Sequence, residues 1–184
     1  MAHAARVSVP ASDAARTGAP AIFRLAPMSR DLAVMTWIAL ILPAWLLGAA
    51  YLSAGLARPV LTGAVGLTLF IYAGVWLAGR PTQFEIDEQA LRVVWPVRRR
   101  IIPRSTVRAA RIMTGPEFRS AYGFGMRVGA GGLWGGFGIL KTKATTFSLW
   151  VSRTDRLVVV ELDGANPLLV TPDDPERFVA RLRA

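Results

Sequence analysis

The residues best placed to do chemistry lie between Gly115 and Lys143, where glycine alternates with aromatic side chains and cations follow closely. A phosphate-cradling P-loop needs glycine, four residues, then Gly-Lys-Ser/Thr, so that backbone N–H groups surround the phosphates and the lysine reaches them. Here Leu140 precedes Lys141-Thr142, and the required glycine is missing. A dinucleotide fingerprint needs G-x-G-x-x-G between a strand and a helix. Gly123-Phe124-Gly125 has the wrong spacing, and no helical pattern follows it. General acid–base catalysis needs carboxylates that converge, yet Glu85, Asp87, Glu88, Glu161 and Asp163 fall at hairpin ends and turns, where solvated carboxylates are ordinary. The chain has no Cys, which removes disulfides, thiolate metal sites and a Cys nucleophile. Its one His is His3, so the folded part lacks the commonest general base and metal ligand. No cofactor, no metal site and no enzymatic activity are expected.

What remains is positive charge and aromatic surface. Lys and Arg number 22 against 12 Asp and Glu, a formal net charge of +10. Such an excess suggests an anionic partner. The densest run is Arg98-Arg99-Arg100, with Arg92, Arg104, Arg108 and Arg111 near it. A second group places Tyr122, Phe124, Met126, Leu133, Trp134 and Phe137 among glycines, flanked by Arg119, Arg127, Lys141 and Lys143. Aromatic tips with basic neighbours suit the head-group region of a membrane. The candidates to face lipid or a partner are therefore Arg98, Arg99, Arg100, Arg104, Arg127, Trp134, Phe137 and Lys141. The plainer alternatives are that the arginines only set topology and that the aromatics only fill a core. Nucleic acid is not expected, because aromatic platforms are not interleaved with the arginine run.

The elements that must position these residues divide sharply by composition. Met1 to Pro20 is rich in Ala, Arg, Ser and Pro without apolar periodicity, and reads as a disordered tail with no signal-peptide core. Ala21 to Pro27 alternates well enough for a short strand or an interfacial segment. Leu32 to Leu52 and Pro59 to Gly79 are uncharged runs of the length a membrane helix requires, about 20 residues. Neither has the polar stripe of a soluble helix. Pro43 should kink the first, and Ala44 and Gly48 are expected to pack against Gly63 and Gly66 of the second.

After Arg80 the period falls to two. Phe84 and Ile86, then Leu91, Val93 and Trp95, predict a hairpin about Asp87-Glu88-Gln89-Ala90. Further strands are predicted over Val97–Ile102, Thr106–Met113, Phe147–Val151, Leu157–Leu162 and Pro167–Val170, with a tight turn at Asp163-Gly164. Gly115 to Gly138 reads as a long loop or irregular hairpin. A last helix has its start marked by Asp174, Pro175 and Glu176 and an apolar face of Phe178, Val179 and Leu182.

Gly131-Gly132-Leu133-Trp134-Gly135-Gly136-Phe137-Gly138, followed by Thr171-Pro172-Asp173-Asp174-Pro175-Glu176-Arg177-Phe178-Val179, resembles the bacterial pleckstrin-homology-like (PH) domain family. The Phe84-x-Ile86 hairpin and Arg98-Arg99-Arg100-Ile101-Ile102-Pro103 are similar to its opening. The resemblance covers roughly Leu32 to Ala184, and members of the family commonly carry two membrane helices before the domain. It implies a fold and a membrane context and brings no catalytic residues. Eukaryotic relatives of the fold often hold phosphoinositides on a basic loop between the first strands; here that loop, Asp87-Glu88-Gln89-Ala90, is acidic.

The expectation is a membrane α+β protein. Residues 1–30 form a disordered tail and short pre-membrane segment, 31–79 a transmembrane helical hairpin, and 80–184 an antiparallel PH-like β-barrel with a C-terminal capping helix. Its expected role is a non-enzymatic, membrane-anchored interaction module that binds a partner protein or the anionic inner leaflet, with further copies of the chain as another candidate partner. The alternatives are an accessory subunit of a larger membrane enzyme or transporter, and a membrane enzyme acting on lipids. The expected location is the bacterial inner membrane, multi-pass, with N-terminus and β domain cytoplasmic. That orientation follows from Arg24, Arg30, Arg80, Arg92 and Arg98–Arg100 flanking the outer ends of the helices while the turn holds only Arg58. Reporter fusions at Met1 and Ala184 are expected to be active only in the cytoplasm. Activity of a periplasmic reporter at either end would reverse the orientation.

Overall fold

The chain makes its first strand before it makes its helices. In the computed structural model, which describes residues 19–184, β1 (Ala21–Arg24) precedes α1 (Arg30–Leu52) and α2 (Ala57–Gly74), the latter continued by a π-helical turn, Val75–Gly79. The disordered tail expected over Met1–Pro20 falls, but for its last two residues, outside the described ones. After the helices come β2 (Gln83–Ile86), β3 (Ala90–Val94) and β4 (Arg99–Pro103), then a single 3₁₀ turn and β5 (Val107–Met113). A short helix α3 (Gly115–Tyr122) leads to β6 (Gly125–Gly131), β7 (Gly136–Thr142), β8 (Thr146–Val151), β9 (Leu157–Leu162) and β10 (Leu168–Val170), and α4 (Pro175–Arg183) ends the chain.

The strands form two open sheets rather than the closed barrel expected. One runs β1-β2-β3-β4 and the other β5-β9-β10-β8-β7-β6, antiparallel throughout except for β10 beside β8. The chain passes from β4 to β5 through the 3₁₀ turn Arg104–Thr106 without pairing the two, so the sheets face each other instead of joining. Between them lies the main core: Phe23, Phe84, Ile86, Leu91, Val93, Trp95, Ile102, Val158, Val160, Leu168 and Val170. Alternation explains the register, since Phe23 faces Phe84 and Phe84 faces Val93 across neighbouring strands, all on the inner face. α4 closes one end of the sandwich. Asp174 caps it by accepting from the N–H of Arg177 at 3.0 Å, and Phe178 meets Phe23 and Phe84 edge-on at 5.2 and 5.8 Å.

The segment expected as a long loop or irregular hairpin, Gly115–Gly138, is most of the β6–β7 hairpin preceded by an unexpected helix, α3. α3 is started by a capping box, Thr114 with Glu117. It lays Phe118 and Tyr122 over Phe147, making a second, smaller core on the other face of the larger sheet. In the β6–β7 hairpin, Gly129 and Gly138 face each other at φ of 132° and 126°. A Cβ on either would stand 2.3 Å from a carbonyl oxygen of the opposite strand, so only glycine permits this close crossing.

The helices pack by other residues than expected. A Cβ added to Gly48, Gly63 or Gly66 would meet nothing within 4 Å, so these small residues face outward. The contact runs instead through Ala50, which is buried, and through the Tyr72 hydroxyl, which donates to the carbonyl of Ala39. Elsewhere both helices expose large apolar side chains, among them Trp37, Ile41, Trp45, Leu47, Val60, Leu67 and Phe70. Both are long and apolar enough to cross a membrane.

The run into α1 is fastened by a buried polar knot. Ser152 donates its hydroxyl to the carbonyl of Ala26 at 2.6 Å, and its N–H donates to the Thr171 hydroxyl at 2.9 Å. The Ala26 N–H donates to the carbonyl of Thr171 and that of Ser29 to the carbonyl of Ser152. Ser152→Ala would leave a buried carbonyl and a hydroxyl short of partners, and is expected to lower the stability of the full chain in detergent by about 1–3 kcal/mol. Ile22→Ala, on the exposed side of β1, should stay within about 0.5 kcal/mol. Equal effects in denaturant titrations would show that the knot holds nothing.

A candidate interface where the helices meet the sheets

The helix-proximal end of the domain is defined by how the sheets hold the helix ends. The turn between β3 and β4 reaches back to the last residues of the π-helical turn. Trp95 donates its indole N–H to the carbonyl of Gly79 at 3.0 Å, and the Arg98 guanidinium donates to the carbonyl of Ala78 at 2.9 Å while lying 4.5 Å over the Trp95 ring. A helix C-terminus leaves carbonyls without intrahelical partners and carries partial negative charge. A cation and an indole donor satisfy both needs at once. Arg80, the next residue, stacks 4.8 Å over Trp76; its Nε is buried without a partner, and that burial holds its pKa below the ordinary arginine value.

A second clasp comes from the β6–β7 loop. Trp134 sits there at φ 56°, the one non-glycine residue with positive φ among the described residues. Its ring meets Tyr72 of α2 at 6.3 Å and Trp76 of the π-helical turn that continues it at 4.9 Å. Its N–H donates to the Thr36 hydroxyl at 2.9 Å, and that hydroxyl lies 2.9 Å from the carbonyl of Gly132. Thr36 is only 4% exposed on a helix that is otherwise largely bare. A left-handed tryptophan costs of order 1–3 kcal/mol, which the docking of its ring and N–H on the helices offsets.

Between these two clasps lies an open-sided cleft of ≈ 390 Å³. Ile71, Gly74, Val75 and Ala78 of the second helix form one wall, Gly129, Ala130, Phe137 and Gly138 the other, and Trp150 and Arg98 also line it. Arg100 lies 5.8 Å over the Trp150 ring, with its Nη1 3.5 Å from the Ser148 hydroxyl. Among the described residues neither Arg98 nor Arg100 pairs with a carboxylate, whereas Arg92, Arg108, Arg111, Arg153 and Arg156 each do.

The eight sequence candidates thus do not form one patch. Arg98 lines the cleft, Arg100 lies over Trp150, which lines it, and Arg99 alternates to the exposed face of β4. Phe137 is 2% exposed, because it pairs across from Trp150 on the inner face, so it is core rather than surface. Trp134 is held against the helices instead of standing free. Arg127 is exposed and folds over Gly131 and Gly136, and Lys141 lies exposed toward the far end of β7. Arg104 donates to the carbonyls of Asp87 and Leu182, at 3.2 and 2.9 Å, tying the β2–β3 turn to the end of α4. Arg104 follows the far end of β4, in the 3₁₀ turn that leads to β5. Its role is structural. Composition alone had no means of finding Thr36 or Trp95, whose roles depend on what reaches them in three dimensions.

The acidic β2–β3 turn is built around Asp87. Its carboxylate accepts from the N–H of Ala90 at 2.6 Å and of Gln89 at 2.8 Å, and it pairs with Arg92. These donors, Ala90 first, hold its pKa below the ordinary carboxylate value. A carboxyl lowered in the folded state adds stability above its unfolded pKa, about 4, and loses it as pH falls through the lowered value. The stability gap between wild type and Asp87→Asn should therefore be widest above pH ~4 and shrink in more acidic solution. A gap independent of pH would refute this. For the second clasp, Thr36→Val removes the hydroxyl that accepts from the Trp134 backbone N–H and Trp134→Ala removes the ring packed on Tyr72 and Trp76; both loosen the same loop, so their double-mutant cycle should show a coupling of about 0.5–3 kcal/mol. Simple additivity would mean that the loop does not depend on the helices.

No curated protein and no solved structure matches the chain. The bacterial PH domain family does, over residues 82–184, a stretch that takes in β2 to β10, α3 and α4. With more than half of its length matched, and two apolar helices ahead of the match, the chain belongs to the bacterial PH domain family.

Proposed function

We propose that α1 and α2 span the bacterial inner membrane as a hairpin with both ends cytoplasmic. The hairpin would hold the PH domain against the inner leaflet as a non-enzymatic binding module. Membership of a family whose domains are generally binding modules supports the second half of this reading. The observation that carries the first half is the bare apolar surface of both helices. Their large side chains are exposed on most sides, and among the described residues nothing covers them. Burying that surface in hydrocarbon is worth roughly 25 cal/mol per Å²; leaving it in water would invite aggregation.

The placement of the charges agrees. α1 begins and the second helix ends at the same sheet, so Arg24, Arg30, Arg80 and Arg98–Arg100 all lie on one side of the hairpin. Juxtamembrane cations gain about 1 kcal/mol each beside anionic lipid. In this reading residues 31–79 are the membrane unit and 80–184 the binding domain, completed by β1 from ahead of the helices. Hydrogen exchange on the full chain in nanodiscs tests the lipid contact. The amides of Arg98–Arg100 should exchange more slowly in anionic than in neutral bilayers, with the difference fading as salt is raised. Identical exchange in the two bilayers would remove the leaflet as the ligand and leave a protein partner as the better reading.

One observation favours a second reading, an accessory subunit of a larger membrane complex. Ala44, Gly48, Gly63 and Gly66 face outward, and small residues allow a neighbouring helix to approach closely. Stoichiometric co-purification of another membrane protein in mild detergent would support it.

A further inference from the structure

We infer that the cleft between the second helix and the β6–β7 hairpin is a binding site for one anionic phospholipid. The acyl chain would lie along the helix and the phosphate at Arg98 and Arg100. This rests on the membrane reading above and gives it a specific ligand site, away from the β2–β3 turn, whose acidic side chains would repel a phosphate. Three features carry it. Ile71, Gly74, Val75 and Ala78 recur at helical spacing on one face, making an apolar wall about 10 Å long at 1.5 Å rise per residue. That wall begins inside the membrane span and ends where the helix meets the domain, so a chain entering from the bilayer stays in apolar surroundings throughout. The opposite wall stays low because Gly129 and Gly138 carry no side chains.

The third feature is charge complementarity at the domain end. Arg98 lines the cleft and spends one donor on Ala78, and Arg100 stacks on Trp150, which lines the cleft too. Neither has a carboxylate partner among the described residues, so each keeps guanidinium donors for a phosphate. The volume, ≈ 390 Å³, lies within the range of small-molecule sites, about 300–1,000 Å³. Phosphatidylglycerol supplies both the chain and the anion. A neutral phosphatidylcholine supplies the chain but places a cation beside the arginines.

The test uses the full chain, reconstituted in an equimolar mixture of phosphatidylglycerol and phosphatidylcholine, then extracted in mild detergent. Native mass spectrometry counts the lipid retained. Wild type is expected to retain a single phosphatidylglycerol in preference to phosphatidylcholine by about tenfold. Gly74→Leu puts a side chain where a Cβ meets nothing within 4 Å, so the fold should tolerate it while the cleft fills. Ala78→Phe blocks the same wall one turn on. Both should lose most of the retained lipid with unchanged gel-filtration and melting behaviour, and Arg100→Gln should lose the preference but not all retention. Inorganic phosphate should not displace the lipid. Equal retention of the two lipids by wild type, undiminished retention in both blocked variants, or displacement by phosphate alone would each overturn the site. Because these outcomes leave membrane extraction of the chain unchanged, they are distinguishable from failure of the anchoring reading itself.

Discussion

Everything in this structure depends on β1 pairing with β2. The two strands are neighbours in one sheet, yet the whole helical hairpin lies between them in sequence. A chain that leaves a sheet at Arg24 and must return to it at Gln83 can cross a bilayer only an even number of times. Two helices joined by a short turn satisfy that constraint with the least chain. The pairing has its own anchors: Phe23 in the aromatic cluster with Phe84 and Phe178, and Ala26 in the knot with Ser152 and Thr171. Sheet and hairpin are therefore mutually required, since β1 is held in register by the core and in turn fixes where α1 begins.

From that constraint follow the two clasps at the junction. A domain joined to helices by two free linkers would swivel. Here Trp95 and Arg98 grip the carbonyl end of the second helix, and Trp134 docks across both helices through Thr36, Tyr72 and Trp76. The arginine run thereby divides its labour: Arg98 neutralises a helix end, Arg100 packs on Trp150, and Arg99 faces outward. Arg98 and Arg100 thus stand at the junction without an ion pair among the described residues, while Arg92, Arg108, Arg111, Arg153 and Arg156 are each paired with a carboxylate.

Much of this was legible in the residues. Uncharged runs of the right length announced the helices, period-two patterns after Arg80 announced the strands, and the Asp174-Pro175-Glu176 cap announced α4. Three features were not. The long glycine segment reads as a loop or an irregular hairpin without choosing between them, because glycine weakens every propensity; Gly129 and Gly138 serve a close strand crossing, and the short helix before them is announced only by Thr114 and Glu117. The Ala21–Pro27 alternation allowed a strand but could not name its partner, which lies beyond two helices. The sheets stay open because β4 and β5 are joined by a single 3₁₀ turn, a matter of backbone geometry that alternation does not encode. At the site, residue type singled out Arg98, Arg100 and Trp134 but could not say that Phe137 is buried or that Arg104 ties the β2–β3 turn to α4, because exposure depends on the face of a strand and on which carbonyls lie within reach.

The central claim is that the hairpin sits in hydrocarbon while the sheet that holds it does not. Spin labels placed singly at Leu47 and Phe70, both exposed on the helices, and at Ile22 on β1 measure this in reconstituted bilayers through collisions with oxygen, which favours lipid, and with a water-soluble nickel chelate. The account predicts high oxygen and low nickel accessibility at Leu47 and Phe70, with the reverse at Ile22. Nickel accessibility at the two helix positions equal to that at Ile22 would contradict it.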